Sequence, residues 1–327
     1  MLRGIIMQNK VFLGAFLCLI ACVSWGAMFP VANSAFHHIN PFYFTIYRYV
    51  TAAIILVLLL LWREGKEAFR LEGKGFSLWF FGTMGFTIYN IGIFWGQDLL
   101  GDPGIMVASI MESVMPMISI IIVWILFRNT PHIFTFGCVV IAFIGASLVI
   151  TNGDFATFFT ATNAMIPTLI TFIAVVGWVV YTMGGDAFKS WSALRYSTLS
   201  CVLGTATALI IVLIATGTGH ISLPTWEITK AVSPHITFMV IFPGVIALLG
   251  WNYGISIIKP LNGLLFQNFV PVTTLIISFV QGTAITVYDV MGTIFIMIAL
   301  ISNNIFLRIN MRKKNQSPNA SLQESVS

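Results

Sequence analysis

The chain has 327 residues, 58% of them hydrophobic and 8% charged, with a formal net charge of +5 and a mean hydropathy of +0.94. Soluble domains carry about 25% charged residues, so this composition excludes a water-soluble globule and indicates a multi-pass protein of the cell (inner) membrane. Its basic residues sit in short loops on alternate sides of apolar runs, which excludes a nucleic-acid patch and reads as an orientation signal.

Ten apolar runs follow one another, each near the roughly 20 residues that cross a bilayer. They lie at about 11–33, 42–62, 75–97, 103–127, 133–151, 164–184, 194–216, 236–258, 261–281 and 288–307. The first follows Arg3 and Lys10 as a signal peptide would, and Leu19-Ile20-Ala21-Cys22 resembles a lipobox. It continues to Ala32, however, longer than a signal core of about 7–15 residues, and reads as a retained helix. Connections are short and marked by Pro, Gly or Asn: His37–Pro41, Gly101–Pro103, Asn129–Pro131 and Lys259–Pro260. The longer polar stretches are Arg63–Lys74, Gly217–His235 and the tail from Arg308.

With the N-terminus inside, fourteen of the sixteen basic residues fall on the cytoplasmic side, Lys230 alone falls outside and Arg48 lies within a run. That asymmetry puts both termini in the cytoplasm. The second and fourth runs then enter from outside. Arg48 lies roughly 10 Å and Glu112 roughly 13 Å below that surface, at about 1.5 Å per residue. They are the charged residues lodged well inside predicted helices, and they are expected to approach each other or to line one outward-facing cavity. A carboxyl in mid-membrane costs roughly 2.5–3.5 kcal/mol on insertion scales and should face protein or water. The plainer reading is a buried ion pair that fixes helix register, or an arginine that snorkels. The functional reading is a carboxyl that holds a proton or an amine in one state of a transport cycle.

An internal repeat adds to this. Glu112 and Pro116 are matched by Gln267 and Pro271 at the same four-residue spacing, 155 residues on, and Gly137 by Gly292 at the same offset. Each proline removes one hydrogen bond from its helix. Gly92-x-x-x-Gly96 is mirrored by Gly250-x-x-x-Gly254, pairs that allow close helix packing, and Trp25 by Trp178. Two five-helix halves, an odd number each, give an all-α inverted repeat, a common plan for secondary transporters. The halves are 1–151 and 164–308, joined by an extracytoplasmic loop 152–163 and followed by a basic, then polar and disordered cytoplasmic tail 309–327.

Polar and aromatic groups continue the pathway. The candidates are Asn90 and Gln97, Ser109 and Ser113, Asn252, Gln267 and Asn268, with Trp25, Tyr89, Trp95, Trp178, Tyr181, Trp251 and Tyr253 nearby. Amides inside a bundle also simply join helices, and aromatic rings also anchor at the interface. The four cysteines lie in apolar segments and read as buried packing residues. No metal or cofactor is expected: the histidines lie in or beside loops without helix-spaced partners, and Gly73-Lys74 lacks the rest of a phosphate-binding loop. No enzyme is expected either, because no nucleophile and base share one depth.

Trp25-Gly26, Pro41, Arg48, Pro116, Gly145-Ala146, Trp178 and Pro271, in this order on ten runs, resemble the drug/metabolite transporter superfamily in its ten-helix EamA-type members. The resemblance extends to about Leu307. It implies a secondary carrier with a central cavity, commonly an exporter of metabolites, amino acids or toxic compounds. Two positions depart from the family pattern: Phe127-Arg128-Asn129 stands where Gly-Glu-Arg is frequent, and Val270 where Glu often precedes the proline. The expectation is therefore an exporter of a small organic metabolite in a lipid bilayer, with protons as a coupling hypothesis. An importer of a sugar or nucleotide sugar is the alternative, and a channel or membrane enzyme a more distant one.

Overall fold

The computed structural model describes residues 2–128, 132–151, 153–154, 162–282 and 284–316, and among these it contains helices and turns but no strand. The Asn129–Pro131 connection, most of the 152–163 loop and the tail from 317 lie outside the described residues. In chain order the helices are α1 (Leu2–Phe36), α2 (Pro41–Glu64) and α3 (75–100). After α3 come α4 (Asp102–Ser113), α5 (Met115–Phe127), α6 (Ile133–Ile150), α7 (Thr162–Gly184) and α8 (Ala193–Gly217). The last are α9 (Trp226–Ile258), α10 (Pro260–Leu264), α11 (Phe269–Val280) and α12 (Val287–Gln316).

Among the described residues, six stretches are long and apolar enough to cross a membrane, within α1, α2, α7, α8, α9 and α10–α11, and α4 with α5 makes a seventh if that bent pair is one span. Large apolar side chains cover the outside (Phe12, Leu58, Trp62, Phe143, Phe279), while Arg48, Asn90, Glu112, Gln267 and many hydroxyls are buried. That is the distribution expected when the solvent is lipid.

Local chemistry sets the helix ends. Asn40 caps α2 by accepting from the Tyr43 N–H at 2.9 Å, with Pro41 in the first turn. Thr225 caps α9, with Glu227 in its first turn. This helix therefore starts at Trp226, ten residues before the predicted run, and absorbs His235 and Lys230 from the expected loop. The C-terminal helix likewise runs on to Gln316, so the start of the basic tail is helical.

The two prolines singled out in the sequence both sit just past a break. Pro116 has no N–H for the carbonyl of Glu112, and Pro271 none for that of Gln267. The chain bends by 44° between α4 and α5. Between α10 and α11 it tightens into a 3-10 turn, Leu265–Asn268. The two breaks pack against each other. A π-turn, Thr83–Tyr89, interrupts α3, and a second, Val240–Ile246, interrupts α9 at the corresponding place in the other half. In the second, Pro243 forces the ladder to slip, since it cannot donate.

Packing between halves closes on itself when the halves are exchanged. The second half of α3 lies on α7 and that of α9 on α1, while α2 meets α8, α4 meets α11 and α6 meets α12. The Gly-x-x-x-Gly pairs make the first two contacts. A Cβ on Gly92 would stand 2.9 Å from Ala174 Cβ, and one on Gly96 would meet Thr171 and the Pro167 carbonyl of α7. A Cβ on Gly254 would lie 2.6 Å from Cys18 Sγ and 2.8 Å from the Gly14 carbonyl, whereas at Gly250 the nearest atom is 3.4 Å away. Gly254→Ala is accordingly expected to destabilise the protein by about 1–3 kcal/mol, the usual overpacking cost, and Gly250→Ala to be near neutral. Thermal unfolding in detergent micelles reads the difference; equal effects would refute this account of the contact.

Candidate functional site

The π-turn of α3 delivers two consecutive side chains to the centre, and each takes one charged partner. Tyr89 donates its hydroxyl hydrogen bond to Glu112 Oε1. Asn90 donates from Nδ2 to the Gly85 carbonyl at 2.7 Å, which fixes the amide and leaves Oδ1 toward Arg48 Nη1 at 3.5 Å. Arg48 also rests 4.6 Å over the Tyr49 ring and 5.8 Å from the Phe94 ring, and contacts Met28 Sδ at 3.7 Å. Glu112 is 0% exposed and Arg48 1%.

Arg48 and Glu112 were expected to approach each other or to line one outward-facing cavity. No ion pair within 4.0 Å joins them among the described residues. Tyr89 bonds Glu112 and Asn90 bonds Arg48. Neither charge lines the cavity described below.

Among the described residues, several buried polar atoms around the breaks have no hydrogen-bond partner: Glu112 Oε2, Ser113 Oγ, Trp178 Nε1, Gln267 Nε2, Asn268 Oδ1 and Arg48 Nε. Each such atom costs about 1–3 kcal/mol, and native proteins keep few of them. Gln267 Oε1 accepts from Cys22 Sγ at 3.6 Å, joining α1 to the second break. Gln97 donates to the Phe29 carbonyl at 2.9 Å and Ser109 to that of Met106 at 3.0 Å, so these two are bound up in backbone contacts.

An aromatic chain links this centre to a second polar cluster. Trp178 lies 4.9 Å from Tyr89, 5.1 Å from Tyr181 and 5.2 Å from Trp25, and Trp25 lies 5.2 Å from Trp251. Trp25 Nε1 donates to the Pro243 carbonyl in the second π-turn at 3.2 Å. Beyond them, Asn252 Nδ2 donates to Tyr181 Oη and Ser197 Oγ, both at 2.8 Å, and Trp251 Nε1 to Thr182 Oγ1 at 3.3 Å. Trp95 and Tyr253, grouped with these rings in the sequence, stand apart: they are 38% and 49% exposed on the outer surface.

Sequence reasoning passed over two features. Ser197, Thr182 and Cys22 look like ordinary packing residues until the fold pairs them. The second is a cavity of about 260 Å3 at the end of α7, α8 and α9, lined by Asp186, Lys189, Trp191, Tyr196, Asn252 and Lys259 among others. One wall is braced by the 65–74 loop. Glu72 accepts from Trp191 Nε1 and from Arg195 Nη2, both at 2.8 Å, and Lys74 donates to the Ala187 carbonyl at 3.0 Å. The Trp191 and Arg195 hydrogen bonds hold the Glu72 carboxyl below the usual carboxylate range. Its contribution is therefore present above that range and is lost as pH falls through the lowered value.

The chain matches a family model, the EamA-like transporter family, over residues 12–151 and again over 165–305. It is 50% identical over 301 residues to the "Uncharacterized transporter YrdR" of Bacillus subtilis (strain 168), covering 92% of this chain and 94% of that one. It is 28% identical over 285 residues to the "Uncharacterized transporter YyaM" of the same organism, covering 87% and 91%. A solved crystal structure shares the fold at a TM-score of 0.67 and 15% identity, covering 93% of this chain and 99% of that one. This chain belongs to the EamA-like transporter family.

Proposed function

We propose that the chain is a secondary carrier that exports a small organic metabolite across the cell membrane by alternating access, with Glu112 as its protonatable group. In this reading ten helices span the bilayer as two inverted five-helix halves, α4–α5 and α10–α11 are single broken spans, and both termini are cytoplasmic. The fourteen basic residues on one side support that orientation. The exchange-closed packing of the halves supports the repeat.

The observation that carries the reading is the half-satisfied acid where the two broken helices meet. A carboxyl kept only for structure would be paired with the nearby cation and fully hydrogen-bonded. Here Glu112 is bonded by Tyr89 and Arg48 by Asn90, and Glu112 Oε2 and Gln267 Nε2 are left without partners among the described residues. Broken helices put free backbone groups and side-chain polar atoms at membrane depth, where a carrier binds its solute. Between the two states of the cycle Glu112 exchanges a proton for interaction with the solute, and the π-turns and breaks supply flexible points. The cavity is lined by Lys189 and Lys259, two of the basic residues assigned to the inside, and so suits loading for export.

The test is reconstitution into proteoliposomes, using solutes depleted inside cells that overproduce the protein. A carrier gives saturable uptake stimulated by the same solute on the far side. Uptake that rises linearly without such stimulation would indicate a channel and overturn the reading.

A further inference from the structure

The break between the two halves of the repeat is asymmetric at one residue. Gly101 joins α3 to α4 with φ +64°, and 158 residues later Lys259 joins α9 to α10 with φ +76°. That conformation suits glycine and strains any residue with a Cβ. The second half nonetheless carries a lysine there, and this lysine lines the cavity. Lys189, which also lines it, lies 3.4 Å from Asp186. Lys259 has no ion pair among the described residues. Asn252, also in the lining and 3% exposed, uses both its N–H groups on Tyr181 and Ser197 and leaves Oδ1 without a partner among the described residues.

We propose that this cavity is the inner docking site for a solute with a carboxylate at one end and a hydrogen-bond donor at the other. Lys259 receives the carboxylate, Lys189 adds positive charge beside it, and the Asn252 amide oxygen accepts from the donor end. At about 260 Å3 the cavity is smaller than drug-sized sites of roughly 300–1,000 Å3, which fits a small organic acid or a zwitterion. A strained backbone retained at one point is explained by the side chain it presents. The proposal rests on the carrier reading for its physiological direction, but the binding site stands or falls separately.

The experiment uses the purified full chain in detergent micelles and a panel of L-amino acids and short-chain carboxylates, each beside its methyl ester. Ligand-induced thermal stabilisation is read first. At least one acid should stabilise the wild type where its ester does not. Lys259→Gly should bind that acid about tenfold or more weakly, while Lys259→Arg keeps most of the affinity. Lys259→Gly without ligand should unfold at or above the wild-type temperature, because glycine relieves the strain; a lower temperature overturns the strain argument. Esters that bind as well as acids, a Lys259→Gly variant that binds like wild type, or no response to any acid each overturn the proposal. Counterflow of the bound acid separates the two claims. Binding without counterflow removes the carrier reading and leaves the site, whereas counterflow unchanged in Lys259→Gly removes the site and leaves the carrier.

Discussion

Glu112→Gln is expected to abolish accumulation driven by a pH gradient while leaving the protein folded and able to exchange solute. Glutamine has the shape of the acid, and its amide oxygen still accepts the hydrogen bond from Tyr89. What it cannot do is change charge. If one proton moves against one solute, each pH unit of gradient is worth about 1.4 kcal/mol, or about a tenfold accumulation ratio. The wild type in proteoliposomes should approach that ratio, and the variant should stay near one at every imposed gradient. Exchange without a gradient should persist, since the neutral side chain mimics the protonated state. A variant that still concentrates solute about tenfold per pH unit would remove Glu112 from the coupling step.

Much of this centre could be read before any coordinates. The four-residue spacing from Glu112 to Pro116 and from Gln267 to Pro271 located both breaks, because a proline's lost donor is a local fact. The Gly-x-x-x-Gly pairs marked the close helix contacts for the same kind of reason: only a missing Cβ lets backbones approach. The separation of Arg48 from Glu112 was not legible. It depends on a π-turn that rotates Tyr89 and Asn90 inward, and the slip of one residue leaves no signature in Thr83–Tyr89, which has no proline. Trp95 and Tyr253 lie on the outer surface, where rings anchor, rather than among the central rings. Tyr253 follows Asn252 directly and so points about 100° around the helix from it, toward the outer surface. The cavity escaped because its charged residues come from loops, where a lysine is the expected orientation signal and carries no further message.

Removing the cation tests the electrostatics of the centre without knowing the solute. Arg48→Met keeps an apolar chain between Tyr49 and Phe94 but removes the buried cation held by Asn90, next in sequence to the Tyr89 that bonds Glu112. Deleting one member of a buried charge pair typically costs about 3–5 kcal/mol, because the remaining charge stays desolvated. The same substitution in a Glu112→Gln background removes a charge with no opposite charge to strand, so it should cost less. The charges are farther apart than 4.0 Å among the described ion-pair distances, which at an effective dielectric near 20 bounds their attraction below about 4 kcal/mol. The double-mutant cycle should therefore return a favourable coupling of about 1–3 kcal/mol, read from unfolding in mixed micelles. Arg48→Lys should not restore it fully, since a lysine cannot lie flat over Tyr49 while reaching Asn90. A cycle that closes to within about 0.5 kcal/mol would mean that each charge is held by its own neighbour, Glu112 by Tyr89 and Arg48 by Asn90. The acid would then titrate without the arginine sensing it, and Arg48 would be a packing residue of α2 rather than part of the machinery.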